Sequence, residues 1–149
     1  MADPSPAALA KLGLRLFPLK PNSKVPAIKD WQRKATSDLD TIDAFSSEVP
    51  DCNWGVATGQ GLVVLDADCK NGKRGLESLE MLDMMGLPES FRVRTPTGGV
   101  HVYLKTKRLY RCSVGAIVGH PDIDVRGEGG YVVGPGSTIE GETYAIIRK

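Results

Sequence analysis

Residues 62–68 read Leu-Val-Val-Leu-Asp-Ala-Asp. The segment is apolar on both faces, which is typical of a central strand, and it ends in two carboxylates. Because side chains alternate along a strand, Asp66 and Asp68 share one face. Acids that face the same way repel each other unless a cation lies between them, and Mg²⁺ is commonly held by one or two carboxylates together with substrate phosphates. The segment therefore predicts a buried strand that ends at a cation site, although acids at strand ends are also common in solvated turns.

The composition is that of one soluble globular domain. The 149 residues are 41% hydrophobic and 25% charged, and 19 Lys and Arg against 18 Asp and Glu leave a net charge of +1. These values argue against wholesale disorder, a coiled coil and a highly basic nucleic-acid binder, although a local basic face stays possible. Without a long apolar run or a signal peptide, we expect a cytoplasmic protein with no membrane partner. The 3 cysteines fit neither a disulfide framework nor a zinc module, so free thiols are expected.

Helical and strand periodicities alternate along the chain and predict an α+β fold with an antiparallel second half. Helices are predicted over residues 7–14, after a cap at Thr36 or Ser37, and over 75–85, with Gly86 ending the last one. Strands are predicted over 15–19, 53–58, 62–66, 91–95 and 100–105, and near Val114, Ile123, Tyr131 and Tyr144. The methionines of the last helix, Met81, Met84 and Met85, are interpreted as core filler.

A turn of small residues at positions 95–99 predicts an anion site. Thr97, Gly98 and Gly99 can bring backbone N–H groups close to a phosphate, and His101 follows in the next strand. No Asp or Glu occurs from Ser90 to Pro121, whereas this segment carries the basic residues Arg92, Arg94, Lys105, Lys107, Arg108 and Arg111. Each feature alone is more typical of a core histidine or a solvated face, but together they favour a phosphate-binding surface.

A second pair of acids, Asp122 and Asp124, also shows strand alternation and shares one face. If their strand lies beside residues 62–66, one of them becomes a third carboxylate at the same cation site. Three acids beside a basic, glycine-lined groove suit metal-assisted phosphoryl transfer.

The order of these motifs resembles that of the Prim-Pol family of the archaeo-eukaryotic primase superfamily, in which D-x-D is followed by a small residue-x-His and then by an apolar residue and Asp. Here these motifs are Asp66 and Asp68, Gly99 to His101, and Ile123 with Asp124. Further similar segments cover nearly the whole chain, namely Phe17-Pro18-Leu19, Lys24-Val25-Pro26, Trp31, Ala35-Thr36, Asn53 to Val56, Gly59, Asp124 to Gly127, Gly130 to Val133, Pro135 and Ser137.

The resemblance implies a single catalytic domain over residues 1–149, with an RRM-like antiparallel sheet, flanking helices and an α/β amino-terminal part. Its catalytic residues would be Asp66, Asp68 and Asp124, which would bind two divalent ions, Mg²⁺ or Mn²⁺. The triphosphate of the incoming nucleotide is expected at His101, Thr97, Gly98, Gly99, Arg126 and Ser137. The backbone of the DNA template or primer is expected at Arg92, Arg94, Lys105, Lys107 and Arg108.

The implied activity is that of a template-directed nucleotidyltransferase, a DNA primase or polymerase acting on nucleoside triphosphates. Such domains usually belong to replication proteins of plasmids, phages or integrated elements and are often fused to a helicase. The sequence contains no P-loop, so a helicase is expected on another chain or in another part of a longer protein. Since helical segments after the core often help family members to start primers, extension is expected more readily than de novo priming.

Another enzyme class is also compatible with the sequence. Pro50-Asp51 followed by Asp68-Cys69-Lys70 imitates the pattern of metal-dependent PD-(D/E)xK nucleases. In that case Asp51 and Asp68 would bind the metal and Lys70 would orient water, which leaves the remaining acids and His101 without a role.

Two non-enzymatic interpretations stay open as well. Asp66, Asp68 and Glu77 match places in an EF-hand calcium loop, but Asn71 replaces its glycine and a strand, not a helix, precedes it. A non-catalytic nucleic-acid-binding module would need exposed aromatic residues, for which the candidates are Tyr103, Tyr110 and Tyr131.

Overall fold

The structure is a computed structural model that describes residues 3–115 and 117–148, and the chain divides into two compact units. Unit 1 takes the described residues of Met1–Ala57 and Tyr131–Ala145. Unit 2 takes those of Thr58–Gly130 and Ile146–Lys149. Each unit therefore draws on separate segments of the chain.

Unit 1 combines helices with a small antiparallel sheet. Its helices are α1 (Pro6–Lys11), α2 (Trp31–Lys34) and α3 (Leu39–Glu48). Its strands are β1 (Leu16–Leu19), β2 (Asn53–Ala57) and β7 (Tyr131–Val133), in the order β1-β2-β7, and the hairpin β8 (Thr138–Ile139) and β9 (Glu142–Thr143). All residues of β1 and β2 are buried, and Gly55 leaves room for the ring of Phe17.

Unit 2 is built on one larger sheet. Its elements are β3 (Leu62–Ala67), α4 (Gly75–Met84), β4 (Phe91–Arg94), β5 (Val100–Lys105) and β6 (Ile123–Arg126), and the last strand, β10 (Ala145–Arg148), begins at the final residue of unit 1. The sheet order is β10-β4-β5-β3-β6, with β3 antiparallel to both β5 and β6. The spatial order β4-β5-β3-β6 is that of an RRM-like sheet, although the described residues between β5 and β6 contain no helix. The fold is α+β, as predicted.

One face of this sheet is closed by α4. Its hydrophobic core consists of Val63, Leu65, Ala67, Leu79, Val100, Val102 and Ile123. Side chains alternate across the sheet, so Val64, Asp66, His101 and Asp124 belong to the opposite face. The strand pattern thus separates an apolar face under α4 from a face that carries the predicted site.

Local sequence explains where two of the helices begin. The Ser5 hydroxyl accepts a hydrogen bond from Ala8 N at 3.2 Å, and Pro6 occupies the first turn of α1. The prediction of Thr36 or Ser37 as the cap of α3 was wrong, because Asp38 accepts from Thr41 N at 3.0 Å. The hydrogen bond from the Thr41 hydroxyl, together with this one from its backbone, lowers the pKa of Asp38.

Other expectations need correction. Met81, Met84 and Met85 are exposed, with 51%, 76% and 71% of their surface accessible, because α4 turns Leu79 towards the sheet instead. Val114 lies outside any strand and is 81% exposed. The single turn of α2 was missed, and α1 ends at Lys11 rather than Leu14.

Cys52, Cys69 and Cys112 are free thiols, as predicted. Within residues 3–115 and 117–148, no helix is long and apolar enough to cross a membrane.

Candidate active site

Three of the predicted site residues form one row across the sheet of unit 2. Asp66 on β3 is directly opposite His101 on β5 and, on its other side, directly opposite Asp124 on β6. Opposite residues in antiparallel strands have Cα atoms about 4.5–5.5 Å apart and side chains on the same face. The register therefore confirms that the strand of Asp124 lies beside that of Asp66, and it brings two acids and a histidine together.

His101 and Asp66 contact each other within this row. The Nε2 atom of His101 lies 3.5 Å from Oδ1 of Asp66. His101 is only 6% exposed, whereas the Asp66 side chain is 26% exposed. The carboxylate thus lies nearer the surface than the imidazole it contacts, and the other ring nitrogen of His101, Nδ1, is buried.

Asp68 lies just beyond the end of β3. Its backbone N–H donates to the Asp122 carbonyl at 3.0 Å, which keeps it beside the start of β6. Its Oδ1 accepts from Lys70 N at 2.9 Å, and its Oδ2 lies 3.3 Å from Nζ of Lys73. Asp68 therefore lies one residue beyond β3, outside the row of Asp124, Asp66 and His101, and its side chain is held by the turn that follows the strand.

Asp124 accepts one backbone hydrogen bond and forms one ion pair. Its Oδ1 accepts from Gly115 N at 3.1 Å, and Arg126 NH2 lies 3.8 Å from Oδ2. Its side chain is 23% exposed. Asp122 has a different role, because its Oδ2 accepts from Arg74 N at 2.8 Å at the start of α4.

The chemistry of the acids suits a hard divalent cation, which prefers carboxylate oxygens. In the part of the chain that the structure describes, no three His, Cys, Asp or Glu side chains already form a group that could hold a metal ion. Each acid instead contacts a cationic or imidazole group, namely His101, Lys73 or Arg126. The carboxylates fit a metal in their residue type, and Asp66 and Asp124 lie on the same face of the sheet. To bind one ion together, their side chains would have to rotate towards each other.

The match to known families agrees with this arrangement. The family model of Prim-Pol, described as bifunctional DNA primase/polymerase, N-terminal, matches residues 6–149. The chain belongs to the Prim-Pol family. At the level of the family, membership means a DNA primase/polymerase-type nucleotidyltransferase. Among curated proteins, no match to the chain was found.

In this Prim-Pol chain, the turn between β4 and β5 lies against the end of β3. A Cβ on Gly99 would lie 2.5 Å from the Ala67 carbonyl oxygen, and the Cys69 thiol donates to the Thr97 carbonyl at 3.2 Å. Thr97, Gly98 and Gly99 are therefore close to the carboxylate segment. The Gly98 N–H donates to the Thr95 carbonyl at 2.9 Å, so this donor closes the turn itself.

The basic residues of the Prim-Pol chain do not form one surface. Arg92 is 5% exposed and binds Asp83 of α4 through NH1 and NH2, at 2.9 and 2.6 Å. Arg94 is exposed, but it is two residues from Arg92 along β4 and therefore lies on the same, α4-facing side of the sheet. Lys105 is exposed and has the parity of His101, and Lys107 and Arg108 are exposed in the segment that follows β5.

Ser137 and the three candidate tyrosines differ in their exposure to solvent. Ser137 belongs to unit 1, is 3% exposed, and its hydroxyl accepts from Trp54 N at 3.0 Å. Tyr103 is 5% exposed, and burial raises the pKa of its phenol. Tyr131 donates to the Lys24 carbonyl, whereas Tyr110 is 43% exposed. Of the three tyrosines, Tyr110 has the exposure that base stacking needs.

Sequence reasoning missed Lys73 and Gly75. Lys73 pairs with Asp68, and Gly75 lies so close to the Asp68 backbone that a side chain there would overlap it. A signal for Lys73 was present in the Asn71-Gly72 dipeptide, which favours a tight turn that sends the chain back on itself.

The calcium-loop interpretation does not agree with the structure. Asp66 lies inside β3, where an EF-hand would have a helix leading into its loop. The Glu77 carboxylate, the expected last ligand, instead accepts from Arg74 Nε at 2.9 Å.

The residues of the nuclease interpretation belong to both units: Asp51 lies in unit 1, and Asp68 and Lys70 lie in unit 2. This interpretation stays a prediction.

Proposed function

We propose that the chain is a template-directed nucleotidyltransferase that extends a DNA primer from nucleoside triphosphates. The observation that carries the proposal is the row of Asp124, Asp66 and His101 in a chain of the Prim-Pol family. In the reaction, the 3′-hydroxyl of the primer attacks the α-phosphate and pyrophosphate leaves.

The proposed cofactors are two divalent ions, Mg²⁺ or Mn²⁺, held by Asp66, Asp68 and Asp124. When bound, they would neutralise charge on the reacting phosphate oxygens and lower the barrier to in-line attack. Support comes from the shared face of Asp66 and Asp124 and from the backbone link that keeps Asp68 next to β6.

His101 and the turn at residues 97–99 are proposed to bind the triphosphate. Nε2 of His101 contacts Asp66 and Nδ1 is buried, so the imidazole would reach a phosphate through Nε2, beside the Asp66 carboxylate. Arg126, which is half-buried beside Asp124, can add positive charge at the same row. These groups would position the nucleotide rather than move protons.

The proposed path of the DNA backbone follows the exposed cations on the site side of the sheet and in the segment after it, Lys105, Lys107 and Arg108. Arg92 is left out because its guanidinium is buried against Asp83. Arg94 is left out because it belongs to the α4 side. Helicase partnership, in cis or in trans, stays a proposal that rests on the family resemblance alone.

The test is a primer-extension assay with labelled primer–template, dNTPs and Mg²⁺ or Mn²⁺, comparing wild type with Asp66→Asn and Asp124→Asn. Each substitution keeps the side-chain shape and removes one charge. We expect extension to fall by about a hundredfold or more, the order that one electrostatic group of an active site supplies. Asp43→Asn, on an exposed position of α3, is the matched control and should extend at the wild-type rate.

The alternative functions give different results in the same assay. Metal-dependent cleavage of the DNA without extension would favour the nuclease. Binding of primer–template with neither extension nor cleavage would favour a non-catalytic binding module. Equal extension by wild type and both variants would contradict the role given to the carboxylates.

A further inference from the structure

Lys73 lies at the end of a short turn that joins β3 to α4. Asn71 and Gly72 have φ values of 56° and 78°, and the Lys73 N–H donates to the Lys70 carbonyl at 3.2 Å. This left-handed turn reverses the chain direction within a few residues. As a result, the Lys73 Nζ returns to within 3.3 Å of Oδ2 of Asp68.

The turn is fastened on both sides of Lys73. Gly75 N donates to the Asp68 carbonyl at 2.8 Å, and Arg74 N donates to Oδ2 of Asp122, also at 2.8 Å. The Asp68 N–H in turn donates to the Asp122 carbonyl at 3.0 Å. These hydrogen bonds fix the backbone around Lys73 next to the backbone of Asp68. The Lys73 ammonium therefore stays close to the Asp68 carboxylate.

The partner of Lys73 belongs to the carboxylate segment of the proposed site. Asp68 follows Asp66 by two residues, and its backbone N–H donates to the Asp122 carbonyl beside β6, the strand of Asp124. The ammonium therefore pairs with one of the carboxylates that are proposed to hold a divalent cation.

We infer that Lys73 is the internal counter-cation of the carboxylate site: it pairs with Asp68 when no divalent ion is bound and must leave Asp68 when one binds. Asp68 Oδ2 cannot lie against an ammonium and a divalent ion without bringing like charges together. The Lys73 side chain is 49% exposed and flexible, so it can move into solvent. Lys73 thus weakens metal affinity and keeps Asp68 paired in the metal-free state.

This inference rests on the proposed function, and a metal titration separates the two. Mn²⁺ binding to the full chain is measured by calorimetry, with free Mn²⁺ checked by electron paramagnetic resonance, for wild type, Lys73→Gln and Lys73→Arg. Lys73→Gln should bind Mn²⁺ about two- to fivefold more tightly, which corresponds to removing one partly exposed ion pair. Lys73→Arg keeps the charge and should bind as wild type does.

Lys70→Gln is the matched control, because Lys70 belongs to the same turn and its side chain is exposed. It should change Mn²⁺ affinity by less than Lys73→Gln does. In an Asp68→Asn background, Lys73→Gln should have no further effect on affinity, because the paired carboxylate is already neutral.

Equal Mn²⁺ affinity for wild type and Lys73→Gln, with binding retained, overturns the inference and leaves the proposed function standing. The same conclusion follows if Lys70→Gln tightens binding as much as Lys73→Gln. Failure of the folded wild-type chain to bind Mn²⁺ overturns the metal site of the proposed function and the inference with it.

Discussion

Gly75 and Gly99 hold the end of β3 by close backbone approach. A Cβ on Gly75 would overlap the backbone N and O atoms of Asp68, and one on Gly99 would lie 2.5 Å from the Ala67 carbonyl oxygen. Neither glycine has a positive φ, so space and not backbone conformation requires it. The position of Asp68 relative to β6 and α4 therefore requires that Gly75 and Gly99 have no side chain.

Gly75→Ala should destabilise the protein by about 1–2 kcal/mol, within the range for overpacked sites. Alanine is the better helix former by up to about 1 kcal/mol, so propensity alone predicts the opposite sign. Overpacking wins because the obstructing atoms belong to the backbone of β3 and its turn and cannot rotate away. Urea unfolding measures the difference, and Glu80→Ala on the exposed side of α4 is the control. A variant as stable as wild type would contradict the close approach.

At the scale of elements, α4 is fastened to β4 by the Asp83–Arg92 pair. The Arg92 side chain is 6% exposed and that of Asp83 is 36% exposed, and two short hydrogen bonds join them. Because the guanidinium is buried, removing Asp83 leaves a charge without its partner. The pair explains why a basic residue of a basic segment lies inside unit 2.

Asp83→Asn should lower the free energy of unfolding at pH 7 by about 1–3 kcal/mol, the range for losing a hydrogen-bond partner of a buried group. The hydrogen bonds from Arg92 lower the pKa of Asp83 in the folded state. Its contribution is therefore fully present above the unfolded value of about 3.9 and is lost as the pH falls through the lowered folded value. Urea unfolding between pH 3 and pH 7 should show the wild type and variant converging only below about pH 4. A constant difference across this range, or convergence at neutral pH, would be the contrary result.

Elements with strong local signals were predictable from the sequence. The predicted bounds of β5 agree with the structure, and those of α4 differ by one residue, because their periodicities and flanking turn residues act locally. The α2 turn was not predictable in this way, since its N-cap Asp30 makes no capping bond. The Trp31 ring instead stacks on Phe17, with ring centroids 4.6 Å apart, and this contact joins residues that are distant in sequence.

At the scale of the whole molecule, the two units are interleaved in sequence. Strands β2 and β7 pair in unit 1, although all of Thr58–Gly130 in unit 2 separates them along the chain. If unit 2 unfolded alone, this pairing would have to close a long flexible loop, with its entropic cost. The sequence prediction of one domain stays a prediction, and cooperative unfolding is its test.

We expect one cooperative unfolding transition. Both tryptophans, Trp31 and Trp54, belong to unit 1, so their fluorescence reports that unit alone. Gly75→Ala, a change in unit 2, should therefore lower the midpoint seen by tryptophan fluorescence as much as the midpoint seen by far-ultraviolet circular dichroism. A fluorescence midpoint that stays at the wild-type value while the other falls would instead indicate independent units.

Local patterns in the chain were sufficient for the α+β class, for β3 as a central strand, and for the acids at its end, because apolar periodicity and turn residues act on neighbouring residues. Residue spacing left Asp122 and Asp124 equivalent and the family resemblance implied Asp124; the register adds that Asp124 lies opposite Asp66, whereas Asp122 accepts from Arg74 N at the start of α4. Two further facts could be learned only from the folded chain: Arg92 is buried whereas Lys105 is exposed, and Lys73 pairs with Asp68. Each of these contacts joins side chains through strand pairing, helix docking or a closed turn, and composition and spacing do not specify which partners meet.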